Sequence, residues 1–382
     1  MNLEINYRHY QMGKETVILY LNHTTHGIAK SIQNDDVLLA AGKKASLTRA
    51  VEMCTPHLSE IGKHRMETCG DWLHMLETED RSARKLERGF FCGLRFCPAC
   101  AWRYSLAWGR VLCAVDRALC NQGLVPLMAT LTVRNVPAEQ LHDTLLHMAD
   151  AWHKLIRRKE YKRAWAHYAR KTEVTYNQQR NDYHPHYHIM IWVDKSYFGG
   201  AGGYISQAKL LEDWRVATGM PEITQVDLRR CRDARQQGAA VAEVAKYVAK
   251  SSDYLTSQAA FEGFWSGLHG IRIITLGGAA KRAVADFRAG RLKEYDPIEQ
   301  TDLDKYTIRA IYHWDGRRYN LTGAEDIDLI AERAAEQERR KLWAQDMAAM
   351  QLGYMPADHK VYHKGGGASY VPVKSPWDEV QP

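Results

Sequence analysis

The chain has 382 residues, 45% of them hydrophobic and 25% charged, which fits a globular protein of two or three modules. No stretch reaches the roughly 20 apolar residues that a bilayer demands. Arg8, His9 and Lys14 interrupt any apolar run near the start, so neither a signal peptide nor a membrane partner is read and a cytoplasmic location is expected. The net charge of +7 suits a polyanionic partner. Eight cysteines without a secretion signal do not read as a disulfide framework.

In chain order, residues 16–21 give a weak strand signal and 36–54 suit a helix. Residues 127–133 (LMATLTV) are a β-rich run between Pro126 and the turn Asn135-Val136-Pro137. Leu141, Leu145, Met148, Trp152 and Leu155 then recur at helical spacing. Residues 173–176 and 187–193 read as strands joined by the polar stretch 177–182. Glycines at 199–203 lack the Lys-Ser/Thr of a phosphate-binding loop. Ser206 can cap a helix ending near Gly219, 223–228 is a further strand, and 238–251 a helix. The order β-α-β-β-α-β-α predicts an α+β, ferredoxin-like split βαβ core, an antiparallel sheet with helices on one face. Beyond it the expectations are a helix over 257–268, a strand over 271–276, a hairpin turning at Asp315-Gly316 and a charged helix over 324–347.

Basic residues cluster twice, at Lys154, Arg157, Arg158, Lys159, Lys162, Arg163, Arg170 and Lys171, and at Arg229, Arg230, Arg232 and Arg235. Such runs are commonly solvated faces. Because both flank the motifs that follow, they are read as phosphate contacts.

His184, His186 and His188 alternate, so on a strand they share one face. Two imidazoles two residues apart can hold one metal ion. A two- or four-residue loop near 179–181 would set Glu173 across from His186 or His188. His186, His188 and a third ligand, Glu173 or His184, leave open coordination positions, a set that suits Mn2+ or Mg2+. Glu243 and Tyr247, four apart on a predicted helix, share a face. A tyrosine is a poor nucleophile with its pKa near ~10. A metal on the phosphate and a cation such as Lys250, one turn on, would make attack feasible. Cys97-Pro98-Ala99-Cys100 is a tight knuckle, and with Cys92 and Cys69 it fits four thiolates around a structural Zn2+. His57 or His64 are the alternatives to Cys69.

His186-Tyr187-His188 followed by Lys246-Tyr247-Val248-Ala249-Lys250 resembles the HUH endonucleases. The histidines come first and the tyrosine after, as in replication initiators. Leu131-Thr132-Val133-Arg134-Asn135 resembles the first conserved strand of these proteins, and the segment from Phe91 to Arg103 resembles the cysteine-rich element of rolling-circle plasmid initiators of the Rep_1 type. The resemblance covers residues 65–254, half of the chain.

The resemblance implies a bacterial origin-nicking enzyme acting on single-stranded origin DNA. His186, His188 and Glu173 would hold the divalent ion, and Tyr247 would attack to leave a 5′-phosphotyrosine and a free 3′-OH. Glu243, where phage relatives carry a second tyrosine, would activate water at termination. Without a nucleotide-binding loop, unwinding falls to a host helicase and extension to a host DNA polymerase; the oligomeric state, a dimer on the origin included, stays open. The alternatives are an HUH-class transposase and a non-catalytic, zinc-containing nucleic-acid-binding protein. The expected division is an N-terminal zinc-knuckle module at 1–122, the endonuclease domain at 123–256, an α+β extension at 257–350 and a tail at 351–382.

Overall fold

A computed structural model describes residues 11–12, 15–16, 44, 46–199, 203–246, 248–297 and 305–332, with 334, 335, 338 and 339. Helices Leu47–Cys54 (α1) and Glu60–Glu67 (α2) lead into strands Trp72–Thr78 (β1) and Arg84–Gly89 (β2), then the long helix Pro98–Asn121 (α3). Next come Val125–Thr132 (β3), Ala138–Arg157 (α4), Lys159–Ala164 (α5), His167–Asn177 (β4), Asp182–Val193 (β5), Gln207–Thr218 (α6), Val226–Arg230 (β6) and Ala234–Ala245 (α7). The chain continues through Ser251–Tyr254 (α8), Gln258–Gly267 (α9), Ile274–Gly277 (β7) and Gly278–Arg288 (α10) to the hairpin of Tyr306–Trp314 (β8) and Tyr319–Asp326 (β9). The result is a mixed α/β fold on two large antiparallel sheets, with Gln11–Met12 and Glu15–Thr16 pairing separately as a short antiparallel ladder.

The larger sheet has the order β6-β3-β5-β4-β7. Its central strand, β5, alternates. Tyr187, Ile189, Ile191 and Val193 pack with Trp152 and Leu155 of α4 and with Leu210 and Trp214 of α6. Met190 and Trp192, on the histidine side, pack with Leu112 and Val115 of α3, Val241 and Val244 of α7, and Ala280 and Val284 of α10. Helices therefore cover both faces, not the one face expected. A strand this apolar on both sides needs two covers. Trp192 Nε1 also donates to the buried Asp116 Oδ1 of α3 at 2.8 Å.

Local chemistry explains several boundaries. Ser206 Oγ accepts from the Lys209 N–H at 3.1 Å, and Gly219 adopts the left-handed conformation (φ 67°) that ends α6. Asp233 caps α7 through the Gln236 N–H. The other end of α7 departs from expectation, because the helix read over 238–251 stops at Ala245 and Lys246 is extended (ψ 155°). Beyond it the Val248 carbonyl accepts from the Val174 N–H of β4 at 2.9 Å. Pairing with the sheet has overridden helix propensity.

The second sheet, ordered β9-β8-β1-β2, joins strands from residues 72–89 to strands from 306–326. On one face Leu73, Met75, Ala310 and Tyr312 pack with Leu86, Phe91 and Tyr319. The hairpin at Asp315-Gly316 is present, but Ala324–Asp326 belong to β9, so the charged helix read from 324 does not begin there. Helix begins instead at Leu329 and includes Glu332, Ala334, Ala335, Glu338 and Arg339, whereas 340–347, nearly all of 16–43 and the tail after 351 lie outside the described residues.

Candidate active site

Asn177 pairs with Asp182, so β4 and β5 turn on four residues, with Asn181 in the left-handed region (φ 52°). That register sets Glu173 opposite His186 and Lys171 opposite His188, placing all four on one face. Glu173 Oε2 lies 3.3 Å from His188 Nε2 and 3.9 Å from His186 Nε2. One ligand atom from each of the three lies within 4.8 Å of the others, a set able to hold a metal ion. His184 stays outside this set and stacks on His186 with ring centroids 5.2 Å apart.

The imidazoles are oriented for ligation. His186 Nδ1 lies 3.0 Å from the His184 carbonyl, which only accepts, so Nδ1 carries the proton and Nε2 offers its lone pair. Burial pushes the His186 imidazole down to about 4, which keeps it neutral. Burial alone would raise the Glu173 carboxyl, but Lys171, His188 and His186 together hold it well below the usual carboxylate range. The donor set of two imidazoles and an ionised carboxylate fits a divalent cation with open positions.

Glu243 projects from the last turn of α7 toward the same place, with Oε2 3.6 Å from His188 Nε2. Two lysines fix this group. Lys246 Nζ lies 2.6 Å from Glu243 Oε1. Lys171, wholly buried, donates to Glu173 Oε2 at 2.6 Å and to the Glu243 carbonyl at 3.2 Å. Neither lysine stood out as a site residue in the sequence, although Lys171 alternates with Glu173 and Lys246 is one turn from Glu243.

Tyr247 lies outside the described residues. Since α7 ends before it, Glu243 and Lys250 do not flank it on one continuous helix, and Lys250 instead precedes α8. Tyr254 is fully buried against Phe96 and Phe264. The first basic run is also redistributed. Arg170 is buried over the Tyr187 ring, Lys171 is in the site, and Arg158 pairs with Asp213 at 2.6 Å. Lys154 to Arg163 lie on α4 and α5, whose buried side chains pack on the sheet face away from His186. That run is therefore not one phosphate-facing surface beside the histidines.

The second cluster gathers Cys69, Cys92, Cys97 and Cys100. Neighbouring sulfurs are 3.5–3.6 Å apart, close to the ~3.8 Å edge of a tetrahedron with Zn–S of about 2.3 Å. The Cys92 and Gly93 N–H groups point at Cys69 Sγ (3.4 Å) and Cys100 Sγ (3.2 Å), as donors around thiolates do. Hydrogen bonds from the other three sulfurs hold the Cys100 thiol below its ordinary value. These residues fit a four-thiolate zinc centre at the start of α3. His57 does not substitute, for it pairs with Glu262 at 2.8 Å and stacks on Trp265. Among the described residues no helix is long and apolar enough to cross a membrane.

Comparison with known proteins identifies the family. The family model Rep_1, described as "Replication protein", matches residues 83–321. A "Protein rep" of Staphylococcus aureus is 36% identical over 53% of this chain and 88% of its own length. A "Protein rep" of Streptococcus pneumoniae is 32% identical over 67% of this chain and 82% of its own, and one from Bacillus amyloliquefaciens is 29% identical over 67% and 84%. No solved structure matches. With the match spanning most of both sheets and both clusters, the chain belongs to the Rep_1 family of replication proteins and is a Rep-type initiator.

Proposed function

We propose that this initiator nicks one strand of a rolling-circle plasmid origin through an HUH-type, ferredoxin-like core spanning residues 123–256. The observation that carries the reading is the juxtaposition of Glu173, His186 and His188 with Glu243, 3.6 Å from His188, on one sheet face. Glu173, His186 and His188 would hold Mn2+ or Mg2+, which when bound withdraws charge from the scissile phosphate. The Tyr247 oxygen attacks phosphorus, the bond to the 3′ oxygen breaks, and the products are a 5′-phosphotyrosine and a free 3′-OH. The 3′-OH primes a host polymerase. Lys250, on the connection into α8, is the cation assigned to the attacking oxygen. At termination Glu243 accepts a proton from water, whose oxygen displaces Tyr247. Lys246 and Lys171 position Glu243, one through its side chain and the other through its backbone carbonyl. Cys69, Cys92, Cys97 and Cys100 would hold zinc, which when bound braces the N-terminal module. A host helicase does the unwinding.

The test is cleavage of single-stranded origin oligonucleotides with Mn2+ or Mg2+, comparing wild type, Tyr247→Phe and Glu243→Ala. A covalent adduct that vanishes in Tyr247→Phe and accumulates in Glu243→Ala is expected. An adduct that persists in Tyr247→Phe removes Tyr247 as nucleophile.

A further inference from the structure

The face of the four-stranded sheet opposite Leu73 and Met75 is packed by Leu329 at the Leu76 end, and its other end carries a feature that the nicking site does not use. The Phe90 N–H bonds the Trp72 carbonyl, and Trp72 pairs with His313 on β8. Phe90, just past the end of β2, Trp72 on β1 and His313 on β8 therefore form a row. Phe90 is 66% exposed and Trp72 38%, and the Trp72 and His313 rings lie 4.2 Å apart. The solvent face of an antiparallel sheet is ordinarily polar, so a row with Phe90 and Trp72 exposed and His313 half-buried marks a contact surface.

Charge identifies the partner. Arg88 is exposed in the next row, opposite His74, and Arg317 and Arg318 are exposed in the hairpin turn at the same end. Of the acids nearby, Asp71 pairs with Lys44 at 2.5 Å and Asp315 accepts from the Arg317 and Arg318 N–H groups, while Glu332 lies within electrostatic reach of Arg88. The far half differs. There Arg309 is ringed by Glu87, Glu325 and Glu332, an acid surplus that repels phosphate. Rings at the basic end and carboxylates at the other suit a polyanion with exposed aromatic faces.

We propose that Phe90, Trp72 and His313 form a stacking platform for unpaired bases of single-stranded DNA, with Arg88, Arg317 and Arg318 on its phosphates. The proposal rests on the reading that this protein handles a DNA strand, and it adds a binding surface separate from the histidine face. Stacking tolerates any base, so the platform holds a strand without selecting its sequence.

The test measures binding of a fluorescent mixed-sequence single strand, and of its duplex, to the zinc-loaded full chain with Mn2+ and Mg2+ withheld, so that no nicking intervenes. Trp72→Ala and Phe90→Ala should each weaken single-strand binding about 5- to 100-fold. Trp72→Phe should retain most of it, duplex binding should be unchanged, and an unaltered thermal melt shows that the variants fold. Arg88→Ala should flatten the salt dependence by about one phosphate contact. Unchanged single-strand affinity in the doubly substituted protein overturns the proposal. So does equal loss on duplex, which marks a plain phosphate surface, or a wild-type dimer that the variants dissolve, which makes a second copy the occupant. A wild type that binds but never nicks defeats the nicking reading alone. Normal nicking with unaltered binding in Trp72→Ala defeats the platform alone.

Discussion

Lys171 Nζ stands 2.6 Å from Glu173 Oε2, with both side chains buried on the histidine face of β4. Two residues apart on one strand, they form an internal ion pair, and Lys171 also reaches the Glu243 carbonyl at 3.2 Å. Removing one member of a buried pair strands the other charge. Lys171→Met should cost about 3–5 kcal/mol in urea unfolding. Adding Glu173→Leu should recover most of that loss. Equal urea midpoints for wild type and Lys171→Met would refute the tie.

The cysteine cluster predicts a metal content. Purified protein should carry zinc, and Cys100→Ser should lose it and melt at lower temperature. Structural zinc sites bind with about 10–16 kcal/mol near neutral pH, more than a small module can forgo. Atomic absorption with and without a chelator decides this. Zinc-free wild-type protein, indifferent to the chelator, would exclude the site.

Gly263 of α9 lies against Tyr183. A Cβ there would sit 2.1 Å from the Tyr183 hydroxyl oxygen, which is held at 2.9 Å from the Ala260 carbonyl. Gly263→Ala must push α9 off β5 and should destabilise by about 1–3 kcal/mol, the cost of overpacking. A helix propensity gain below about 1 kcal/mol cannot offset it. A variant as stable as wild type would place the glycine's value elsewhere.

Asp315 governs the pH response of the β8–β9 turn. The Arg318 and Arg317 N–H groups and the Asn320 amide hold its carboxyl at about 2, below the ~3.9 of a free aspartate. A carboxyl lowered in the folded state lends stability that is complete above the unfolded value and fades as pH falls through the folded one. The stability gap between wild type and Asp315→Ala should thus be constant near neutrality and close toward pH ~2. A gap indifferent to acid would show that the ionised carboxylate is not what holds the turn.

Much of the central layer was legible locally. The alternation of His184, His186 and His188, the turn residues before Asp182, and Ser206 with Gly219 each state their geometry in a few residues. The cysteine spacing did likewise. What escaped was decided by distant partners. Residues 243–250 have helical composition, yet Val248 bonds to Val174 and the helix ends early. Arg170 and Lys171 read as part of a phosphate-contacting basic run until the sheet buries them. Strand β1, WLHMLET, has its alternation blurred by consecutive buried residues, and its partner β8 lies far along the chain.

That last pairing orders the protein's assembly in time. Glu77 of β1 accepts from the Tyr312 hydroxyl of β8, 235 positions further along the chain. During synthesis β1 and β2 leave the ribosome as a hairpin with one edge bare, while the whole histidine sheet can pair before β8 exists. Such distant closure is slow, and an open edge invites aggregation. A chain that stops short of residue 306 therefore keeps all the strands of the nicking face but lacks the two that complete the aromatic one.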